Sequence, residues 1–225
     1  MDRELTELVF ILDRSGSMSG LEEDTISGFN GLIKKQKAEG EKVNVTTVLF
    51  DDQIELIHDR FPIDVINPLT TEDYYVRGCT ALLDAVGYAI KKIENIQNHL
   101  PEEHRAARVL FVITTDGHEN SSKEYDYKAI KKMIEAKSEI GWDFIFLGAN
   151  IDATAEAASI GINKKNAANF DNDSDGIAIN YDVISEVVKG ASKSRDGLTH
   201  RNFSMEEMRN RARDRRKKEK LENVN

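Results

Sequence analysis

The chain has 225 residues, of which 40% are hydrophobic and 32% charged, with a formal net charge of −9. That length builds one well-buried domain, or a domain with an appendage, and the acidic balance excludes a generic nucleic-acid binder. A single cysteine, Cys79, excludes an internal disulfide; no apolar run reaches the ~18–20 residues that span a bilayer, and no basic segment leads a signal peptide, so the expectation is a cytoplasmic protein.

In chain order, residues 8–12 are five apolar residues that predict a buried strand, ending in Asp13 and the polar turn 13–20. Ile26, Phe29, Leu32 and Ile33 predict a helix over 21–39, stopped by Gly40. Residues 43–50 are β-branched and strand-like, and 54–58 form a second strand. The break between them is so short that the pair predicts an antiparallel hairpin. Residues 59–79, with Pro62 and Pro68, are irregular. A helix over 80–97 uses Leu83, Val86, Ile90 and Ile93. Residues 109–115 form another buried strand, also closed by an acid and a glycine, Asp116-Gly117. There follow a helix over 126–140, a strand over 142–147, a short helix over 153–160, a short strand over 168–170 and a helix over 177–191.

This alternation predicts an α/β fold: a Rossmann-like, doubly wound, mostly parallel sheet with helices on both faces. It occupies residues 5–195, and 199–225 form a basic tail, helical or disordered.

Open α/β sheets bind ligands beyond the carboxyl ends of their strands. Asp13 and Asp116 stand at two such ends, Ser15 and Ser17 lie in the turn after the first, and Thr80 opens a helix on the same side. All five are hard oxygen donors without His or Cys, which excludes a zinc-type site and suits Mg²⁺, or Mn²⁺.

Asp13-Arg14-Ser15-Gly16-Ser17 resembles the Asp-x-Ser-x-Ser signature of von Willebrand factor type A (vWA) domains. Gly78-Cys79-Thr80-Ala81-Leu82 resembles that family's threonine loop, and Thr115-Asp116-Gly117-His118-Glu119-Asn120 its Thr-Asp-Gly element. The likeness covers roughly residues 5–195 and is to intracellular members of bacterial or phage type. It implies a six-stranded sheet with one antiparallel edge strand, in agreement with the hairpin. It also implies an intact metal-ion-dependent adhesion site. Ser15, Ser17 and Thr80 would be its hydroxyl ligands, and Asp13 and Asp116 would bind the ion directly or through water. Mostly neutral hydroxyls leave such an ion electrophilic, so its open position favours an Asp or Glu of a partner protein. The expected function is therefore a protein-binding adaptor and no enzyme. Family analogy adds an AAA-type ATPase as a partner, and the lack of a long apolar run predicts no membrane partner. Arg14, Met18, Cys79, His118 and Glu119 are expected on the rim, with Arg14 exposed and attracting acids.

Other features have competing readings. His118 and Glu119 could serve as acid and base in a metal-dependent hydrolase, or form a solvated rim. Residues 171–176 resemble half of an EF-hand loop for a second ion. The twelfth position is Asp182 rather than the usual Glu, and an acidic turn feeding the next helix is the plainer reading. Asp84 is expected to stabilise the first turn of its own helix, and Cys79 to be a small, partly buried filler. The tail carries Arg209, Arg211, Arg213, Arg215, Arg216, Lys217, Lys218 and Lys220. It is read as a solvated helix, or as an electrostatic grip on nucleic acid or an acidic protein. No aromatic residue in 205–225 stacks on bases. Met18 occupies the place a nucleophile elbow gives to serine, and there is no phosphate-binding Gly-Lys-Ser/Thr loop.

Overall fold

Leu8 to Leu12 present apolar side chains to both faces of a strand, and each is at most 1% exposed. In a computed structural model, which describes residues 2–193 and 204–222, they form the middle of β1 (Asp2–Asp13). Beside it lie β2 (Val43–Phe50), β3 (Ile54–Pro62), β4 (Ala106–Thr115), β5 (Trp142–Gly148) and β6 (Ala167–Asn169). They make one six-stranded sheet in the order β3-β2-β1-β4-β5-β6. All neighbours are parallel except β2 and β3, whose three-residue connection leaves no room for a crossover.

The period of two in β1 sorts its side chains into two cores. Leu8, Phe10 and Leu12 pack under α1 (Glu22–Glu39) and α5 (Ser174–Lys193). Val9 and Ile11 pack with Phe111 and Phe146 under α2 (Leu82–His99), α3 (Tyr127–Glu139) and α4 (Ala153–Ser159). Helices α1 and α5 approach closely because Gly28 has no side chain; a Cβ there would run into the Tyr181 ring. The chain leaves β1 for β2 on one side and returns to β4 on the other. The strand order therefore reverses between β1 and β4, and the crevice opens at their carboxyl ends.

The expected elements are present, and their ends differ where charged residues hide the pattern. β1 reaches back to Asp2 and β4 to Ala106, because neighbouring strands supply ladder partners that hydrophobicity cannot signal. β3 runs on to Pro62, past register shifts and Arg60 at φ 53°, through a stretch expected to be irregular. Midway along β1, Glu7 is fully buried and receives the Arg60 Nε–H at 2.9 Å. Burial outweighs this pairing and pushes its carboxyl up to about 7.

Helix α6 (Met205–Glu222) accounts for most of the basic tail. Its Met205 and Ala212 are buried against the α1–α5 side of the core. Arg209 is 2% exposed, donates to Asn180 Oδ1 at 3.0 Å and lies over the Phe170 ring. Arg213 pairs with Asp171 at 2.5 Å and Arg216 with Asp182 at 3.4 Å. One face of this helix is thus docked on the domain; the expectations for residues 199–203 and 223–225 lie outside the described residues. Among the described residues, no helix is long and apolar enough to cross a membrane.

Candidate metal centre

Asp13 ends β1 and Asp116 follows β4, and the two strands pair directly, Leu12 beside Thr114. Asp13 Oδ1 accepts the Ser15 N–H at 2.7 Å, and Oδ2 accepts the Thr115 hydroxyl at 2.5 Å. Its main-chain carbonyl accepts the buried Tyr74 hydroxyl at 2.6 Å. The Ser17 hydroxyl donates to Asp116 Oδ1 at 2.5 Å and lies 3.2 Å from the Ser15 hydroxyl. Asn172 Nδ2 reaches Asp116 Oδ2 at 3.5 Å.

The fifth donor arrives on a separate loop. A Cβ on Gly117 would lie 3.3 Å from both Ser17 Oγ and Thr80 Oγ1, so the two hydroxyls flank that glycine. The threonine loop is sewn to the Asp13–Ser17 turn by Gly16 N–H to Gly78 O (3.2 Å) and Arg77 N–H to Arg14 O (2.9 Å). On its other side Asn120 holds Thr80 twice: its Oδ1 accepts the Thr80 N–H (2.9 Å), and its own N–H donates to the Thr80 carbonyl (3.0 Å). Asp13, Ser15, Ser17, Thr80 and Asp116 are therefore gathered at one point above β1 and β4. Ser17 is exposed at its mouth and the other four are buried.

Burial pushes the Asp13 carboxyl up to about 6, against the hydrogen bonds from Thr115 and Ser15 and with help from the Asp116 charge. Burial also raises Asp116, opposed by Ser17 and Asn172. Among the described residues neither carboxylate is ion-paired, and no three His, Cys, Asp or Glu side chains converge. The site is two desolvated acids and three hydroxyls, a hard-oxygen set that fits Mg²⁺ or Mn²⁺.

Several expectations for the rim are corrected. Arg14 is fully buried, not exposed. Its N–H continues the ladder to Phe50 O, and its side chain turns to the hairpin, where Nε meets Asp51 (3.1 Å) and Nη2 meets Glu55 (2.7 Å). Met18 is 5% exposed and belongs to the core. Glu119 is no free acid or base. Its carboxylate accepts the Leu83, Ser121 and Ser122 N–H groups and the Ser122 hydroxyl, which caps α2 and fixes its own loop. Asp84 accepts the N–H groups of Lys123, Glu124 and Tyr125 instead of stabilising its own helix turn. Cys79 is exposed, not a partly buried filler. His118 is also exposed. In the EF-hand-like stretch Asp173 accepts the Gly176 N–H at 2.7 Å, and Asp171 is engaged by Arg213.

Four residues that hold the site escaped the sequence reading as supports: Tyr74, Thr115, Asn120 and Asn172. Thr115 was visible as part of Thr-Asp-Gly. Asn120 stands in the same stretch and Asn172 in the EF-hand-like one, but no spacing reveals what they or Tyr74 approach.

The von Willebrand factor type A domain model matches residues 7–186. The chain belongs to this family. Among solved structures, the vWF domain of the type V pili tip protein Mfa5 from Porphyromonas gingivalis aligns with a TM-score of 0.59 at 12% identity, over 84% of this chain and 96% of that one. The manganese-loaded TRAP protein of Plasmodium vivax aligns with a TM-score of 0.56 at 17% identity, over 80% and 73%. The D319A mutant of the PilB minor pilin from Streptococcus sanguinis gives 0.57 at 13% identity; it covers 82% of this chain, which spans 61% of the pilin's length. At these identities the likeness is one of fold. No curated protein matches the sequence.

Proposed function

We propose that this vWA domain is a metal-dependent protein-binding module. Asp13, Ser15, Ser17, Thr80 and Asp116 would hold a divalent cation, Mg²⁺ by preference with Mn²⁺ as a substitute, and an Asp or Glu of a partner protein would complete its coordination. The observation that carries this reading is the pair of buried carboxylates, Asp13 and Asp116, with hydroxyls around them and no basic partner among the described residues. Two desolvated acids side by side are costly unless a cation neutralises them. The nearby arginines, Arg14 and Arg77, are both turned to Asp51 and Glu55, and among the described residues neither pairs with Asp13 or Asp116. A divalent ion would supply Lewis acidity there, and Asp13, Ser15, Ser17, Thr80 and Asp116 would hold it. The manganese carried by the TRAP structure supports a divalent ion in this fold.

The engagement of Glu119 as a cap counts against a hydrolase built on His118 and Glu119. The pairing of Arg213 and Arg216 with the domain counts against the tail as a free grip on nucleic acid. A cytoplasmic location, expected from the lone cysteine, stays part of the proposal, and an ATPase partner stays as family analogy alone.

The test is Mn²⁺ or Mg²⁺ titration by calorimetry on the wild type, Asp13→Ala and Thr80→Ala, with partner capture in Mg²⁺ against EDTA. Binding that is lost in both variants, and a partner released by EDTA, is the expected result. A partner held equally under all conditions would show that no metal bridge is used.

A further inference from the structure

Asp51 ends the hairpin side of the crevice, one residue past β2, and is fully buried without being one of the five oxygen donors. All its polar groups are engaged. Oδ2 accepts from Arg14 Nε (3.1 Å) and Arg77 Nε (2.5 Å), and Oδ1 accepts the Gln53 N–H (2.6 Å). Its main-chain carbonyl accepts the Ala81 N–H at 2.8 Å, and its own N–H donates to Gln53 O at 3.0 Å.

These links share a geography. Arg14 lies in the Asp13–Ser17 turn, while Arg77 and Ala81 bracket the threonine loop immediately before and after Gly78-Cys79-Thr80. Between them Gly78 has φ 67° and packs on the Asp51 and Asp52 side chains so tightly that a Cβ would overlap Asp52. One carboxylate and one carbonyl of a single residue therefore pin both ends of the segment that carries Thr80. The same carboxylate draws the Arg14 guanidinium away from Asp13, its neighbour in sequence.

We propose that Asp51 is the positioning residue of the metal centre: it presets the Thr80 hydroxyl against the Asp13–Ser17 turn and keeps the Arg14 charge out of the pit. This rests on the metal-binding reading above. A loop held in place before the ion arrives spares the ordering cost of binding, and groups behind metal ligands contribute to affinity in this way. Tyr75 adds to the clamp, since its ring lies 5.4 Å from both the Arg14 and Arg77 guanidinium carbons.

The test measures Mn²⁺ affinity, by the spin-resonance signal of free Mn²⁺, on full-length wild type, Asp51→Asn, Thr80→Ala and the double variant. It also follows amide exchange of the metal-free proteins. Asp51→Asn is expected to weaken Mn²⁺ about tenfold. The losses in the double variant should not multiply, because Thr80 is already displaced. Exchange should quicken at 77–81 and stay unchanged in β4 and β5. Should Asp51→Asn fail to fold, Arg77→Gln, on a partly exposed side chain, is expected to give a smaller loss with the same local exchange. Wild-type affinity in a folded Asp51→Asn, fully multiplicative losses, or exchange that rises evenly over the sheet would each overturn the proposal. A wild type that binds no Mn²⁺ would instead sink the metal reading, and exchange at 77–81 alone would then decide whether Asp51 holds the loop.

Discussion

Ser17 donates its hydroxyl to Asp116 Oδ1 at 2.5 Å across 99 residues of chain. The contact joins the turn after β1 to the end of β4, and it exists because those strands are neighbours in the sheet. It gives Asp116 a neutral donor where a cation is proposed to sit. Ser17→Ala should therefore lower Mn²⁺ affinity about tenfold. Because Ser17 is exposed, it should move the unfolding temperature of the metal-free protein little. Calorimetric titration and thermal unfolding of the same variant separate the two effects.

The pH dependence follows from Asp13, whose carboxyl lies at about 6 against an ordinary 3.8. A raised folded value means that this group favours folding most below about pH 4 and withdraws that support as pH rises through about 6. Glu7, raised from 4.5 to about 7, acts with the same sign. Each contributes at most ~3 kcal/mol. Through these groups the metal-free protein gains stability from pH 7.5 to pH 5, and Glu7→Gln removes part of that gradient. Metal binding runs the other way, since it needs the Asp13 carboxylate. Mg²⁺ should raise the unfolding temperature at pH 7.5 and hardly at pH 5. Calorimetric scans at both pH values, with Mg²⁺ and with EDTA, check both signs.

Gly78→Ala tests the threonine loop. With φ at 67° a side chain is strained there, and it also displaces the exposed Asp52 carboxylate and crowds the Asp51 Cβ. The cost of the left-handed backbone alone is about 1–2 kcal/mol. The substitution should lower both the unfolding temperature and the Mn²⁺ affinity. Gly20→Ala, also at positive φ but with open space around it, should lower stability and leave affinity nearly unchanged.

Helix α6 supplies a test of docking. Met205 is fully buried, so Met205→Ala should destabilise the protein by roughly 2–5 kcal/mol, read from denaturant unfolding. A solvated tail would show no change. Lys217→Ala, on the exposed face of the same helix, is the control expected to stay within about 0.5 kcal/mol of wild type.

By itself the sequence determined the layered α/β class, the antiparallel hairpin and the oxygen donors at the strand ends. These follow from short-range signals: apolar runs, period-two and helical spacing, a three-residue break, and acids placed just after buried strands. The tertiary structure alone decided which strands adjoin, and hence that Asp13 and Asp116 meet. It also decided the fate of side chains whose type is ambiguous. Arg14 reads as an exposed charge, yet it is buried because Asp51 and Glu55 stand across the hairpin to neutralise it. Glu119 reads as a free acid, yet the open N-terminus of α2 and its own loop claim both of its oxygens. Met18 reads as rim, yet it is buried in the core that α1 shares. A residue's identity fixes what it can bond to, and the partner within reach is set by strand order and loop approach, which local patterns do not encode.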